Sequence, residues 1–341
     1  MTHVTGTATD LEDLLSQLDT FATTTHGGWT GYSTNPQTTD GWFELHKGSL
    51  SMSIKYPTDA EGPPQHMSVH QATGFINDAT APGAHTADSG SGFNTGTTGH
   101  TNANLLTERC VSQIGNGPFP SFHFFADDTA THDYIHVVVE ATTGMFRHLL
   151  FGELVRFGDN WVGGEYVCGH FQDQGSTSLS TDANTQVLLD GLGSTGERLR
   201  AGTIRIASGL LNQSPAVWAV STQVASASML NDTAGNIRRQ IHGGYRAGMG
   251  PRGFANAVGN SSSGVVGLVP IEAFYRDPSN VRCQLLGHLP DVRAFNTRNF
   301  EPGETITIGS DTWHLFPQSI RTQALIVNRS QFSGIAYRLV A

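Results

Sequence analysis

Residues 121–171 read SFHFFADDTATHDYIHVVVEATTGMFRHLLFGELVRFGDNWVGGEYVCGHF. Aromatic and β-branched runs at 123–125, 134–139, 145–150, 154–157 and 165–167 are separated by turn formers: Asp127-Asp128, Thr142-Thr143-Gly144, Asp159-Asn160 and Gly163-Gly164. That alternation predicts a meander of four or five short antiparallel strands. Gly152, Gly158, Gly163 and Gly164 are expected to set its bends.

Upstream, Leu11, Leu14, Leu15, Leu18 and Phe21 recur at helical spacing and form one apolar stripe. Thr9 or Asp10 can cap this helix, and its acidic first turn suits the positive end of the helix dipole. Past Gly27 the helical period disappears. Residues 41–45 and 49–56 read as a hairpin around Lys47-Gly48, with Leu50, Met52, Ile54 and Tyr56 on one face. Residues 67–71 add a short strand. The segment 78–104 carries Phe93 as its one bulky hydrophobe, so it reads as a binding loop or an arm that orders on a neighbour, with simple disorder as the alternative.

Downstream, 203–206 and 216–220 read as short strands. A glycine-rich stretch at 230–264 supplies Arg238, Arg239, Arg246 and Arg252, with Arg276 just beyond. In an acidic chain, those arginines suit either contact with an acidic face of a neighbouring subunit or a solvated loop. Residues 281–287 are strand-like, and Leu289-Pro290-Asp291 is expected to turn the chain. Residues 304–308 and 312–316 form a hairpin across Gly309-Ser310-Asp311, and 332–340 closes the fold with Ile335, Tyr337 and Leu339 on one face. The expected organisation is an N-terminal helix (1–25), a β-rich region (26–175), a glycine-rich polar segment with few strands (176–280), and a β-hairpin region packing on the same core (281–341). The fold class is mainly β, with antiparallel sandwich-like sheets, one amphipathic helix and long Gly/Ser/Thr-rich loops.

Only 14% of the 341 residues are charged, 40 are glycine, and the net charge is −10. Without a basic run, direct nucleic-acid binding is not expected. Long apolar runs are absent, so no membrane insertion is expected, and the first residues do not read as a secretory signal. Cys110, Cys168 and Cys283 are an odd, widely spaced set that reads as reduced thiols, and folding in a cytoplasm is expected.

Fifteen histidines raise the question of metal. His132 and His136 lie on one strand face but about 13 Å apart, so a site would need cross-strand pairs. His136 with His148 and Glu140 or Glu165 is the set to consider, with His170 nearby. No HExxH or tight His/Cys spacing supports it, and no metal or cofactor is expected. Nucleophile-elbow and P-loop motifs are missing, and Asp127 with Asp128 or Glu140 with Glu153 are weak glycosidase pairs; no catalytic residue is assigned. Trp29, Tyr32, Trp42, Phe43, Trp161, Tyr166 and Trp313 read mostly as core. Trp42 and Trp161 follow turn residues and could stack on a host surface glycan if exposed.

The chain resembles a family of tailed-bacteriophage virion structural proteins. The resemblance rests on His136-Val137-Val138-Val139-Glu140, on the run from Phe146 to Leu154, and on Gly158 through Trp161 to Tyr166. It extends to Asn116-Gly117-Pro118, Phe122-His123-Phe124-Phe125, and Ala8 to Leu15 followed by Gly41-Trp42. Pro290-Asp291-Val292-Arg293 and Asp311 to Pro317 complete it. It implies a non-enzymatic virion subunit: a tail, baseplate or neck component that binds copies of itself and other virion proteins. A glycan-binding tail-tip module and a capsid decoration protein are the alternatives.

Overall fold

The computed structural model of the protein describes residues 1–37, 40–48, 50–57, 67–72, 110–112, 114–115, 117–128, 132–169, 202–208, 217–221, 240–243, 267–277, 282–296, 300–317 and 333–339. Loop 78–104 with Phe93, most of 230–264, and Arg238, Arg239, Arg246 and Arg252 lie outside the described residues.

The chain opens with strand β1 (Thr2–Ala8), then helix α1 (Leu11–Thr20) and a π-helical turn over Phe21–Thr25. Asp10 is the N-cap: its carboxylate accepts from Asp13 N at 2.8 Å, and Asp13 in turn accepts from Thr9 N at 2.8 Å. These reciprocal bonds satisfy backbone donors that have no partner within the helix. The Thr9 bond, with help from Gln17, holds the Asp13 carboxyl below its ordinary range. Leu11, Leu14, Leu15 and Leu18 are all buried. Asp10→Ala should therefore cost about 1 kcal/mol in urea unfolding, without altering the folded far-UV spectrum.

Strands β2 (Thr30–Gln37), β3 (Asp40–Lys47), β4 (Leu50–Pro57), β5 (Met67–Ala72) and β6 (Cys110–Ser112) form a five-stranded antiparallel sheet in chain order. The second sheet has 14 strands. Beginning at β1 it runs through β7 (Phe119–Asp128), β8 (Asp133–Thr142), β9 (Met145–Glu153) and β11 (Val162–Gly169). It continues through β12 (Gly202–Ser208), β13 (Val217–Ser221), β14 (Gln240–Gly243), β15 (Val269–Asp277) and β16 (Arg282–Asn296). It ends with β19 (Ser333–Leu339), β18 (Asp311–Pro317) and β17 (Thr305–Ile308), while β10 (Val155–Arg156) attaches to β16 from the side. Among the described ladders, only β13–β14 is parallel.

The two faces of β7, β8, β9 and β11 are buried against different partners. Phe122, Phe124, Ile135, Val137, Leu149, Phe151 and Val167 share a core with α1 and with Phe43, Leu45, Met52 and Ile54 of the five-stranded sheet. Phe125, Val138, Phe146, Leu150 and Cys168 point the other way. They share a second core with Leu286, Val292, Phe316, Ile335 and Tyr337. The long sheet therefore folds back on itself, giving a mainly-β, sandwich-like arrangement with one short helix. Burial on both faces explains why Tyr134 to Val139 reads as a continuous run rather than an alternating one.

Several expectations need correction. Strand β10 does not join the meander: β9 pairs directly with β11, and β10 pairs with β16. Leu289-Pro290-Asp291 does not reverse the chain. It is an irregularity within β16, where the pairing with β15 slips between Pro270 and Glu272 and Asp291 takes φ 50°. The expected strands at 203–206 and 216–220 are β12 and β13, but within the expected loop 230–264 residues 240–243 form β14, and β15 also continues the long sheet. A ladder is built of backbone hydrogen bonds, so a Gly-rich stretch can pair without a side-chain signature. The Thr-, Gly- and Ser-rich sequences of β1 and β2 alternate too weakly to be read as strands, and β6 is only three residues long.

Gly152 has φ 156° and lies opposite Tyr134; a Cβ there would run into Tyr134 Cβ and the Asp133 carbonyl. Close approach of the two strands requires glycine at that point.

Candidate functional site

Of the two tryptophans considered for glycan stacking, Trp161 is ruled out by its position. Its side chain is 1% exposed, with the Arg156 guanidinium 5.9 Å from the ring centroid and donating to the Trp161 carbonyl at 3.1 Å. Backbone pairing places Trp42 on β3 opposite Thr34 and Lys55; its side chain lies outside the described set.

Glu140 and Glu153 cannot act as a glycosidase pair. Glu140 pairs opposite Phe146 near one end of the β8–β9 ladder, and Glu153 follows the Tyr134–Gly152 pair at the other. That separation is about 20 Å at roughly 3.3 Å per residue, far beyond the roughly 5–9.5 Å such chemistry needs. Glu140 is occupied structurally, accepting from Ser121 Oγ at 2.9 Å and from Gly144 N at 2.7 Å. Glu153 faces Glu165 across the ladder, and burial, reinforced by the Glu165 charge, pushes its carboxyl up.

The set built on His136 and His148 does not converge on an ion. Both imidazoles are fully buried on the fold-back side, and each is committed to a tyrosine: His136 Nε2 to Tyr166 Oη at 2.7 Å, His148 Nδ1 to Tyr337 Oη at 2.7 Å. Glu165 alternates with Tyr166 and falls on the opposite side of the sheet. Burial is the main force holding both histidines far below their ordinary range, with His148 at about 3, and it raises both tyrosines. The His148–Tyr337 pair joins β9 to β19 and so ties the two halves of the long sheet together, whereas His136–Tyr166 joins β8 to β11 within one half. His132 precedes β8 and stacks on Tyr134, while His170 lies outside the described residues.

A different histidine cluster forms where the sheet closes on itself. His3 on β1, His123 on β7 and His314 on β18 each offer one ring nitrogen, and these atoms all lie within 4.8 Å of one another. The β1–β7 register sets His3 opposite Phe125 and His123 opposite Thr5, so the two histidines are diagonal neighbours on one face. His3 Nε2 and His123 Nδ1 are 3.2 Å apart. The His314 ring stands edge-on to both, at 87° to His3 and 86° to His123. Phe125 stacks on His3 at 4.5 Å, and Phe316 lies 4.8 Å from His123. Burial, with His314 as the next cause, lowers His3 to about 4 and His123 to about 3; burial also lowers His314. All three are half-buried and neutral at pH 7. Sequence separation concealed the cluster, since no local spacing connects residues 3, 123 and 314.

One further feature lies at the end of the long sheet. Strand β17 pairs with β18 on one side, and the described strands place nothing on its other side. Its sequence is Thr-Ile-Thr-Ile, and Ile308 is 44% exposed. The strand lacks the lysine, proline or bulge that commonly blunts an open edge. No helix among the described residues is long and apolar enough to cross a membrane.

No family model matches the chain, and no curated protein matches it.

Proposed function

We propose that the chain is a structural subunit of a tailed-bacteriophage virion, a tail, baseplate or neck component that assembles as a symmetric oligomer. The observation that carries this reading is where the residues of the phage-family resemblance fall. His136 to Glu140 and Phe146 to Leu154 supply β8 and β9, the strands buried on both faces. Pro290 to Arg293 and Asp311 to Pro317 meet through Arg338, which bonds Asp291 at 2.7 Å and lies 3.9 Å from Asp311. Arg293 also sits 5.3 Å from the Trp313 ring centroid. The shared residues thus belong to one framework, as expected of a protein selected for shape and contact.

The open edge at β17 supports self-assembly, because a neutral β-branched edge is a template for a strand from a neighbouring copy. Changing both Thr305 and Ile308 to lysine should lower the oligomeric state seen by light scattering and remove ring or tube particles in negative-stain electron microscopy. Circular dichroism should remain unchanged. A wild-type chain that stays monomeric at high concentration and in the presence of phage lysate particles would overturn the reading.

A further inference from the structure

We propose that His3, His123 and His314 form a three-imidazole site for a divalent first-row transition metal, Zn²⁺ being the ion that fits best, with water in the fourth position. The first support is spacing. Zinc bound tetrahedrally at about 2.0–2.1 Å to nitrogen separates its ligands by about 3.3 Å, and His3 Nε2 and His123 Nδ1 already stand 3.2 Å apart.

The second support is independent and concerns His314. Its Nε2–H donates to the Gly303 carbonyl at 2.9 Å, which selects the tautomer with a bare lone pair on Nδ1. That Nδ1 is buried and has no hydrogen-bond partner. A ligand histidine anchored through its other nitrogen by a backbone carbonyl is the usual outer-shell arrangement of a metal site. A buried, unpaired imidazole nitrogen is otherwise costly, and an ion would satisfy it.

The chemistry of the donor set narrows the ion. Neutral imidazoles suit zinc, copper, nickel and iron, whereas calcium and magnesium require oxygen ligands. Three strands carry the ligands, and Phe125 and Phe316 wall them, so the geometry is held by the sheet and not by a loop. A water would complete four-coordination.

Such an ion would clasp the fold. Strand β1 begins the long sheet and β18 lies next to its far end. Coordination would bind the N-terminal strand to the C-terminal hairpin where the sheet folds back, a cross-link between the two halves that encloses most of the chain. This inference does not depend on the virion reading.

The test uses tag-free full-length chain, stripped with EDTA, dialysed, and titrated with Zn²⁺ by calorimetry at pH 7.5. One Zn²⁺ per chain is expected, with Tm raised by about 5 °C when free Zn²⁺ is near a hundredfold above Kd. His3→Ala, placed at the start of an edge strand where it is least disruptive to folding, and His314→Ala should each weaken binding at least about tenfold. His132→Ala, outside the cluster, should bind like wild type. Absence of stoichiometric binding by the stripped wild-type chain would overturn the proposal, as would binding that survives the combined His3→Ala and His314→Ala change.

Discussion

Replacing Asp291 with alanine is expected to destabilise the fold by about 2–5 kcal/mol, mostly through the buried Tyr134 hydroxyl and the left-handed backbone. The carboxylate holds two partners from distant strands. Oδ2 accepts from the Tyr134 hydroxyl at 2.7 Å, and Oδ1 accepts from Arg338 Nη2 at 2.7 Å. Tyr134 is fully buried, so its hydroxyl would be left without an acceptor and without water. Burial and the Asp291 charge together already push that phenol well above its ordinary range. Among the described ion pairs Arg338 would keep only Asp311, which is more distant at 3.9 Å and half-exposed. Alanine would also have to adopt φ 50°, a left-handed conformation that aspartate and asparagine tolerate far better. Asp291→Asn keeps an acceptor and the backbone preference, so its loss should be less than half that of Asp291→Ala. Urea unfolding followed by tryptophan fluorescence separates the two variants. A loss under about 1 kcal/mol for Asp291→Ala would mean that the β8–β16 contact is not held through this carboxylate.

The same residue marks the limit of what could be read from the sequence. The meander strands, the hairpin at Lys47-Gly48 and the hairpin across Gly309 were legible because side-chain period and turn chemistry agreed there. Pro290-Asp291 carries equally clear turn chemistry, yet β15 pairs with β16 both before it, at His288, and after it, at Arg293, so the strand continues past it. Sheet order was not legible at all. Nothing local tells β10 to leave β9 and pair with β16, nor brings β1 beside β7 across more than a hundred residues. The histidine cluster was hidden for the same reason: each ligand is an ordinary strand residue until the sheet closes. His136 and His148 are close in sequence, as a metal pair would be, and geometry instead gives each of them a tyrosine.

Those two histidines should make the protein unusually sensitive to acid. In the unfolded chain an imidazole titrates near about 6.5; in the fold, burial lowers His148 to about 3 and takes His136 far below its ordinary value, His148 adding to the effect. Below pH 6.5 the unfolded state therefore binds more protons than the folded state, so stability falls as pH falls. The contribution is fully present above pH 6.5 and is lost progressively on the way down toward pH 3. For His148 alone the loss at pH 4 is roughly 3 kcal/mol. Protonation would also drive a charge into the apolar core beside Phe125, Leu150 and Tyr337. Urea midpoints in EDTA between pH 7.5 and 4 should fall steeply for the wild-type chain. Carboxylates titrate in the same range, so the informative quantity is the difference from His148→Gln. That variant should be less stable at pH 7.5, because it loses the Tyr337 partner, and its pH slope should be shallower by about one proton, 1.36 kcal/mol per pH unit, between about pH 6 and 4. An identical slope in the two proteins would mean that His148 is protonated in the fold, and that the His148–Tyr337 pair does not hold the two halves of the sheet together as a neutral pair.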